Sequence, residues 1–479
     1  MKPTARRCTI RPASAWIAVV SLLISFSAAA QLDTSPNAVW RATSRLGYGP
    51  TPDTAQAAQT GPQAWGLQQI DAAYAASQRA ALIPPEIARF NQPLNDTLLN
   101  VKAEREARKI AKDPALTPNP ESMAMNAAAA GFSREMQQTA AAWRLMSCSD
   151  PSIENPLLAR MTEFWFNHLN VFAGKGSVRP FVGHYVVNVI RANALGKFED
   201  LLLASAQHPA MLFYLDQTQS KARGLNENYA RELMELHTLG VDAGYSQNDV
   251  HELARILSGW TVNVAKGESF WFAPRLHDNG EKTLLGYTFK ANGMREGEEA
   301  IRLLARHPAT AQRIARRLAS TFVADQPPQA LVDHLAAVFI KTQGDIRAVM
   351  KALVTSHEFW LASNTLFKTP LDFACSTLTV AGGAKERREI QLTLSFLAQA
   401  GQPLHGWQTP DGYKTDAATW LAPEALTSRA DYAVAMGSRM TQPIYLEPFL
   451  STASRERIGR EAPAARTGLM LASPDFMKK

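Results

Sequence analysis

Residues 225–261 read LNENYARELMELHTLGVDAGYSQNDVHELARILSGWT. At about 100° per residue, Leu225, Tyr229, Leu233 and Leu236 form one apolar stripe of a helix over 225–239. Glu227, Arg231 and Glu235 fall opposite it as an i, i+4 ladder. Gly240 stops that helix, and Ser246 with Asp249 makes a capping box that opens a second over 247–258. The second helix turns Val250, Leu253 and Leu257 inward and His251, Glu252 and Arg255 outward. Its exit leads into Glu268–Phe272, Asp278-Asn279-Gly280-Glu281 and Lys282–Phe289, which read as a β-hairpin turning at Asn-Gly. The expected fold is mainly α: a large multi-helix body with a small β-hairpin insertion near 268–289.

Outward from this stretch, the same periodicity covers 132–148, 156–169, 181–194, 198–206, 209–216, 298–305, 309–323, 328–341, 345–356, 386–400 and 423–437. His208-Pro209-Ala210 and His307-Pro308-Ala309 place proline at a first helical position, which makes each histidine a helix-opening residue. Residues 31–112 read as a less regular N-terminal helical segment, broken by Pro84-Pro85 and Pro93 and ending in a charged helix over 100–112. Residues 113–130 read as a linker or loop, and 131–479 as the main helical domain carrying the insertion.

Residues 1–30 have the three-part order of a secretory signal peptide. Lys2, Arg6, Arg7 and Arg11 precede an apolar core, and Ala28-Ala29-Ala30 precedes Gln31. The core is short for a membrane span, and no second long apolar run follows. The expectation is a periplasmic or secreted protein without a transmembrane segment after cleavage; Arg6-Arg7 leaves Sec and Tat export both open. Removing four basic and no acidic residues takes the formal net charge from +7 to +3. No Lys/Arg stripe interleaved with aromatics remains, so nucleic acid is not an expected partner. Cys148 and Cys375 stay in the mature chain, either paired or as two buried thiols.

Six strings carry a resemblance: SRLGYGP (44–50), MTEFWFNHLN (161–170), RANALGKFEDLLLASAQHPAMLFYLD (191–216), the 226–261 segment, LHDNGEKTLLG (276–286) and DGYKTDAATWL (411–421). Together they resemble the bacterial family catalogued as domain of unknown function 1800, from about Val39 to the C-terminus. The resemblance implies an exported protein, of a family often encoded beside a second exported family, domain of unknown function 1501, which is the candidate partner. It implies no activity, cofactor or catalytic residue.

Chemistry is therefore read from the residues. Glu232 lies at the margin of the apolar stripe beside Asn228 and Glu235, where burial or an arginine such as Arg255 perturbs a carboxyl. His237 sits on the other margin, roughly 140° from Glu232 on a straight helix. His168 falls within the apolar face of the 156–169 helix, opposite Arg160, Glu163 and Asn167, and needs a polar partner. His277-Asp278 sits on the insertion, a few residues beyond Trp260. There is no H-E-x-x-H, E-x-x-H, G-x-S-x-G, P-loop, G-x-G-x-x-G opening a helix or C-x-x-C-H, so the sequence assigns neither a metal nor a cofactor. The candidate catalytic residues are Glu232, Glu235, His277, Asp278 and Arg231, with Asn228, His168, His237, Trp260 and Arg255 as binding residues. Two readings follow. One is a hydrolase or lyase acting on an envelope or extracellular polymer, with Glu232 and His277-Asp278 facing one cavity. The other is a non-catalytic periplasmic binding or assembly protein that uses the same patch to hold another exported protein.

Overall fold

Proline opens nine of the α-helices. Pro36, Pro52, Pro62, Pro156, Pro209, Pro308, Pro370, Pro423 and Pro463 each take the first helical position, where a fixed φ helps and a missing N–H costs nothing. The computed structural model describes residues 33–112, 129–361, 363–440 and 443–479; the expected signal peptide and residues 113–128 of the expected linker lie outside them. Helix makes up 63% of the chain, and two antiparallel two-stranded sheets hold all the strands of the described residues. The fold is mainly α with a small β insertion. His208 and His307 both cap their helices, their Nδ1 atoms accepting the Ala210 and Ala309 amides.

Buried apolar side chains separate into two cores. The larger runs from Val39 to Phe359 and contains Leu158, Trp165, Tyr185 and Leu253. Ile70 and Leu98, from the N-terminal segment, lie in it too. The smaller joins Trp40, Tyr48, Leu145 and Ala159 to Phe373, Phe396, Tyr432 and Phe476. The helix Pro156–His168 serves both, with Leu158, Met161 and Trp165 in the larger core and Ala159 in the smaller. It therefore marks the seam between them.

Three local features depart from the sequence reading. The insertion is two hairpins and not one. Glu268–Phe272 pairs back with Trp260–Asn263, while Lys282–Leu284 pairs with Tyr287–Phe289 across Leu285-Gly286. Both turn residues have positive φ, 50° and 80°, as a two-residue type I′ turn requires. Asn279-Gly280 is instead gathered under Asp278, whose Oδ1 accepts the Gly280 amide at 2.8 Å. Second, the helix Asn228–Glu232 opens into a π-helical turn over Leu233–His237, so the straight-helix angles fail beyond Glu232. Third, the helix Pro370–Val380 has no counterpart in the periodicity, because it is buried all round except at Val380.

Cys148 on the helix Phe132–Ser149 is joined to Cys375 on Pro370–Val380, 227 residues apart in the chain. A cross-link closing so long a loop contributes about 2–4 kcal/mol. The Cys148→Ser/Cys375→Ser double variant should lose about that much in urea denaturation, matching the native chain under reductant. Identical midpoints with and without reductant would show that the thiols are unpaired.

Candidate functional site

The His277–Asp278 half of the expected site is a closed network. His277 is 3% exposed. Its Nδ1 donates to the Ser258 carbonyl at 2.8 Å, and its Nε2 lies 3.2 Å from Glu296 Oε1. Glu296 also accepts the Asn292 and Gly293 amides and Lys282 Nζ. Burial pushes its carboxyl up, but Lys282, the Asn292 amide and His277 outweigh burial and hold it below the ordinary value. Arg255 spends its fork on Asp278, at 3.0 and 3.1 Å, and also donates to Glu252. That arginine holds Asp278 below its ordinary value. Trp260 is fully buried against Phe270. Among the described residues each carboxylate of this network has a donor, Trp260 Nε1 is buried without a partner, and none of Glu232, His277 and Asp278 lines the main cavity.

Glu232 faces elsewhere. Arg231 bridges Glu227 and Glu235 along the helix, as the ladder spacing requires, and Asn228 donates to the Leu215 carbonyl. Among the described residues Glu232 itself accepts no hydrogen bond, from Arg255 or any other donor. Burial raises its carboxyl above the ordinary value, and Glu235 and Asp411 raise it further, against the pull of Arg231. Asp411 comes from a loop 179 positions later, and its charge reaches Glu232 beside Tyr214. His168 is 1% exposed, and its Nε2 meets the His237 carbonyl at 3.0 Å, freed by the π-helical turn. Burial, with Arg313 and Arg317 beside it, pulls His237 down to about 3. His168 is held well below its ordinary value by burial and the same two arginines. Both rings are neutral.

Asp411 and Arg317 line the main cavity of the described residues, about 360 Å³ in volume. It lies along the seam between the two cores, with Phe164 and Phe166 on one side and Phe367, Leu371 and Leu404 on the other. Its polar lining was read from sequence as an outward helix face. Arg160, Glu163 and Asn167, at i, i+3 and i+7, all turn into it. Arg144 grips Glu163 with two parallel bonds, Nε to Oε1 at 2.8 Å and Nη2 to Oε2, and stacks on Phe166. Arg160 donates to Asp372 and to the Gly47 and Ser44 carbonyls; Lys479 Nζ takes the other Asp372 oxygen. Burial would raise Asp372, but Arg160 and Lys479 hold it far below the carboxylate range.

His405, which the sequence reading passed over, also lines the cavity. Its ring is 2% exposed, and neither nitrogen has a partner among the described residues. Its φ of 60° is unusual for a side chain of that size, and such strain clusters at functional sites. Burial holds it neutral, well below its ordinary value. The left-handed backbone inside PLHGW left no signal in the sequence. Among the described residues no three His, Cys, Asp or Glu side chains come together in a metal-holding group.

The loop that carries His405 and Asp411 is pinned by the helix Pro156–His168 and its exit. Asn167 donates to the Tyr413 carbonyl at 2.8 Å and accepts the Tyr413 amide at 2.7 Å, imitating a strand partner. Asn170 donates to the Trp407 and Thr409 carbonyls, and Tyr214 to that of Gln408. Gly412, at φ 73°, passes so close that a Cβ would lie 2.0 Å from the Asn167 carbonyl. Asn167→Ala should therefore lose about 1–3 kcal/mol and expose 402–416 to proteolysis while the helical circular dichroism persists. Unchanged cleavage kinetics in that loop would show that Asn167 does not hold it.

Two strings that carry the family resemblance, MTEFWFNHLN and DGYKTDAATWL, thus meet at one cavity wall, and a third, SRLGYGP, meets Arg160. Comparison with curated proteins finds no match, and comparison with solved structures finds none. A family model for a protein of unknown function, DUF1800, matches residues 41–478, nearly the entire chain. The chain belongs to the DUF1800 family.

Proposed function

We propose that the protein is an exported hydrolase or lyase acting on an envelope or extracellular polymer, with Glu232 and Asp411 as its acid/base pair. One observation carries the reading. Glu232 is a half-buried carboxyl that accepts no hydrogen bond among the described residues, and it feels the charge of Asp411, a carboxylate that lines the cavity. The two environments differ as acid and base require. Glu232 is pushed toward its protonated form by burial, whereas Asp411 is exposed and accepts Trp407 Nε1 at 2.8 Å and the Thr409 hydroxyl. In hydrolysis, Glu232 gives its proton to the departing oxygen as that bond breaks. Asp411 takes one from the attacking water, so one water is added per bond cleaved. Asp325, Asp411 and Lys414 are exposed lining residues, so the cavity reaches the surface, as a polymer segment requires. The Cys148–Cys375 disulfide suits an oxidising compartment outside the cytoplasm, in keeping with the signal-peptide reading.

Release of reducing or unsaturated ends from purified cell-wall and extracellular polysaccharides tests this reading. Cleavage should be abolished by Glu232→Gln and reduced about 10²-fold or more by Asp411→Asn. A carboxyl raised in the folded state destabilises the fold once pH exceeds its unfolded value. At neutral pH Glu232→Gln should therefore leave the thermal midpoint unchanged or higher. The alkaline limb of the pH–rate profile should lie above the ordinary glutamate value of about 4.3, because activity falls as the acid loses its proton. Full activity of Glu232→Gln would overturn the assignment.

A further inference from the structure

Hydrogen-bonding capacity in the cavity is unequal. Five carboxylates line it: Glu163, Asp325, Asp372, Asp411 and Asp416. Each already accepts at least one hydrogen bond. Arg144 takes both oxygens of Glu163, Arg160 and Lys479 take those of Asp372, and Thr419 takes both of Asp416. The Ala417 amide donates to Asp325, and Trp407 and Thr409 to Asp411.

The donors are not so fully used. Arg317, partly buried on the helix Pro308–Phe322, lines the cavity and donates to no described residue. Arg144 Nη1 is buried without a partner, and so is the N–H of the neutral His405 ring. A buried donor left unmet costs about 1–3 kcal/mol, more when charged, and in this lining Arg144 Nη1 and the His405 ring carry that cost; the Arg317 nitrogens are not among the buried unpaired atoms and open onto the cavity. Burial, with Arg313 beside it, pulls the Arg317 guanidinium down to about 10 against the influence of Asp411; it stays charged at neutral pH. A planar fork of free N–H groups matches an oxyanion.

We propose that Arg317, supported by Arg144 Nη1 and His405, forms a subsite for an oxyanion on the ligand: a carboxylate or a sulfate ester. This rests on the cavity being the polymer site proposed above and narrows that polymer to an acidic one. Arg317 is here a binding residue that touches the anionic group and not the bond being cleaved.

The test uses the full mature chain and three defined probes in isothermal titration calorimetry: polygalacturonate for carboxylate, dextran sulfate for sulfate ester, and dextran as the neutral polymer. One or both acidic polymers should bind and dextran should not; which one binds identifies the anion. Arg317→Met should weaken binding roughly tenfold or more, the scale of one lost charged hydrogen-bonded contact, with a thermal midpoint equal to or above that of the native chain. Arg317→Lys should fall between, because it keeps the charge and loses the fork. Arg316→Met, on the exposed side of the same helix, should change affinity less than about twofold. Equal binding of dextran, no binding of any probe, undiminished binding by Arg317→Met, or an equal loss in Arg316→Met would each overturn the subsite. Unfolding of Arg317→Met would mark a structural arginine and overturn it as well. Arg317-dependent binding without any cleavage by the native chain upholds the subsite and overturns the hydrolase reading alone.

Discussion

Arg160 carries its guanidinium into the interior with 4% exposure, and the cavity's walls depend on how that charge is met. Burying an unpaired guanidinium costs several kcal/mol, so the fold has to bring acceptors to it. It brings them from two distant segments. The Ser44 carbonyl comes from the last turn of the helix Pro36–Arg45 and that of Gly47 from the turn after it, Asp372 from the helix Pro370–Val380, and the face of Tyr48, 4.0 Å away, from the same turn as Gly47. Lys479 then closes on the second oxygen of Asp372. One arginine on the seam helix thus fixes the N-terminal turn, the disulfide-bearing helix and the end of the last helical segment relative to one another. One turn further along, Glu163 repeats the arrangement with Arg144.

The molecule treats its buried charges in two ways, and the contrast locates the site. Around His277 and Glu296 each acceptor finds a donor, and the outcome is a rigid platform for the two hairpins. Such a network specifies a structure and leaves nothing over for a ligand. Along the seam the pairing is incomplete at chosen places: Glu232, Arg317, one Arg144 nitrogen and His405. Arg317, Arg144 and His405 line the cavity, whereas Glu232 lies outside its lining.

Helical periodicity made the architecture legible, because most helices keep one apolar stripe and a polar face. The Ser246–Asp249 capping box, the helix-opening His208 and His307, and buried His168 all followed from local rules. The failures have a common cause. A polar helix face was read as solvent-facing, yet the helix Pro156–His168 lies between two cores and its polar face turns toward an internal cavity. Pro370–Val380 is buried on every side, so its sequence PLDFACSTLTV has no period to detect. Glu232 was rightly singled out as a core-margin carboxylate, but its neighbour came from residue 411 and not from the nearby insertion. Proximity in sequence favours adjacency only where elements pack in order, and the C-terminal loop breaks that order. The useful signal was present in Arg160, Glu163 and Asn167 at i, i+3, i+7 on a helix too aromatic elsewhere to lie on a surface.

The two carboxylates proposed to act together stand on supports of unequal stiffness. Glu232 ends a helical segment whose Tyr229 and Leu233 are buried in the larger core, so packing holds its position. Asp411 is on a loop without regular structure, where exposure would ordinarily allow wide motion. The loop is held from below instead, through its own backbone, by Asn167, Asn170 and Tyr214. Bonds to backbone leave the loop's side chains free for a ligand, and the close passage of Gly412 over Asn167 keeps the loop against the helix. An acid and a base must be fixed to within a fraction of an ångström if they are to act on one bond, which a loop tethered at four carbonyls and one amide can achieve. The Asn-x-x-Asn spacing at the end of the seam helix supplies that tether, and it explains why FNHLN and DGYKTD belong together in this fold.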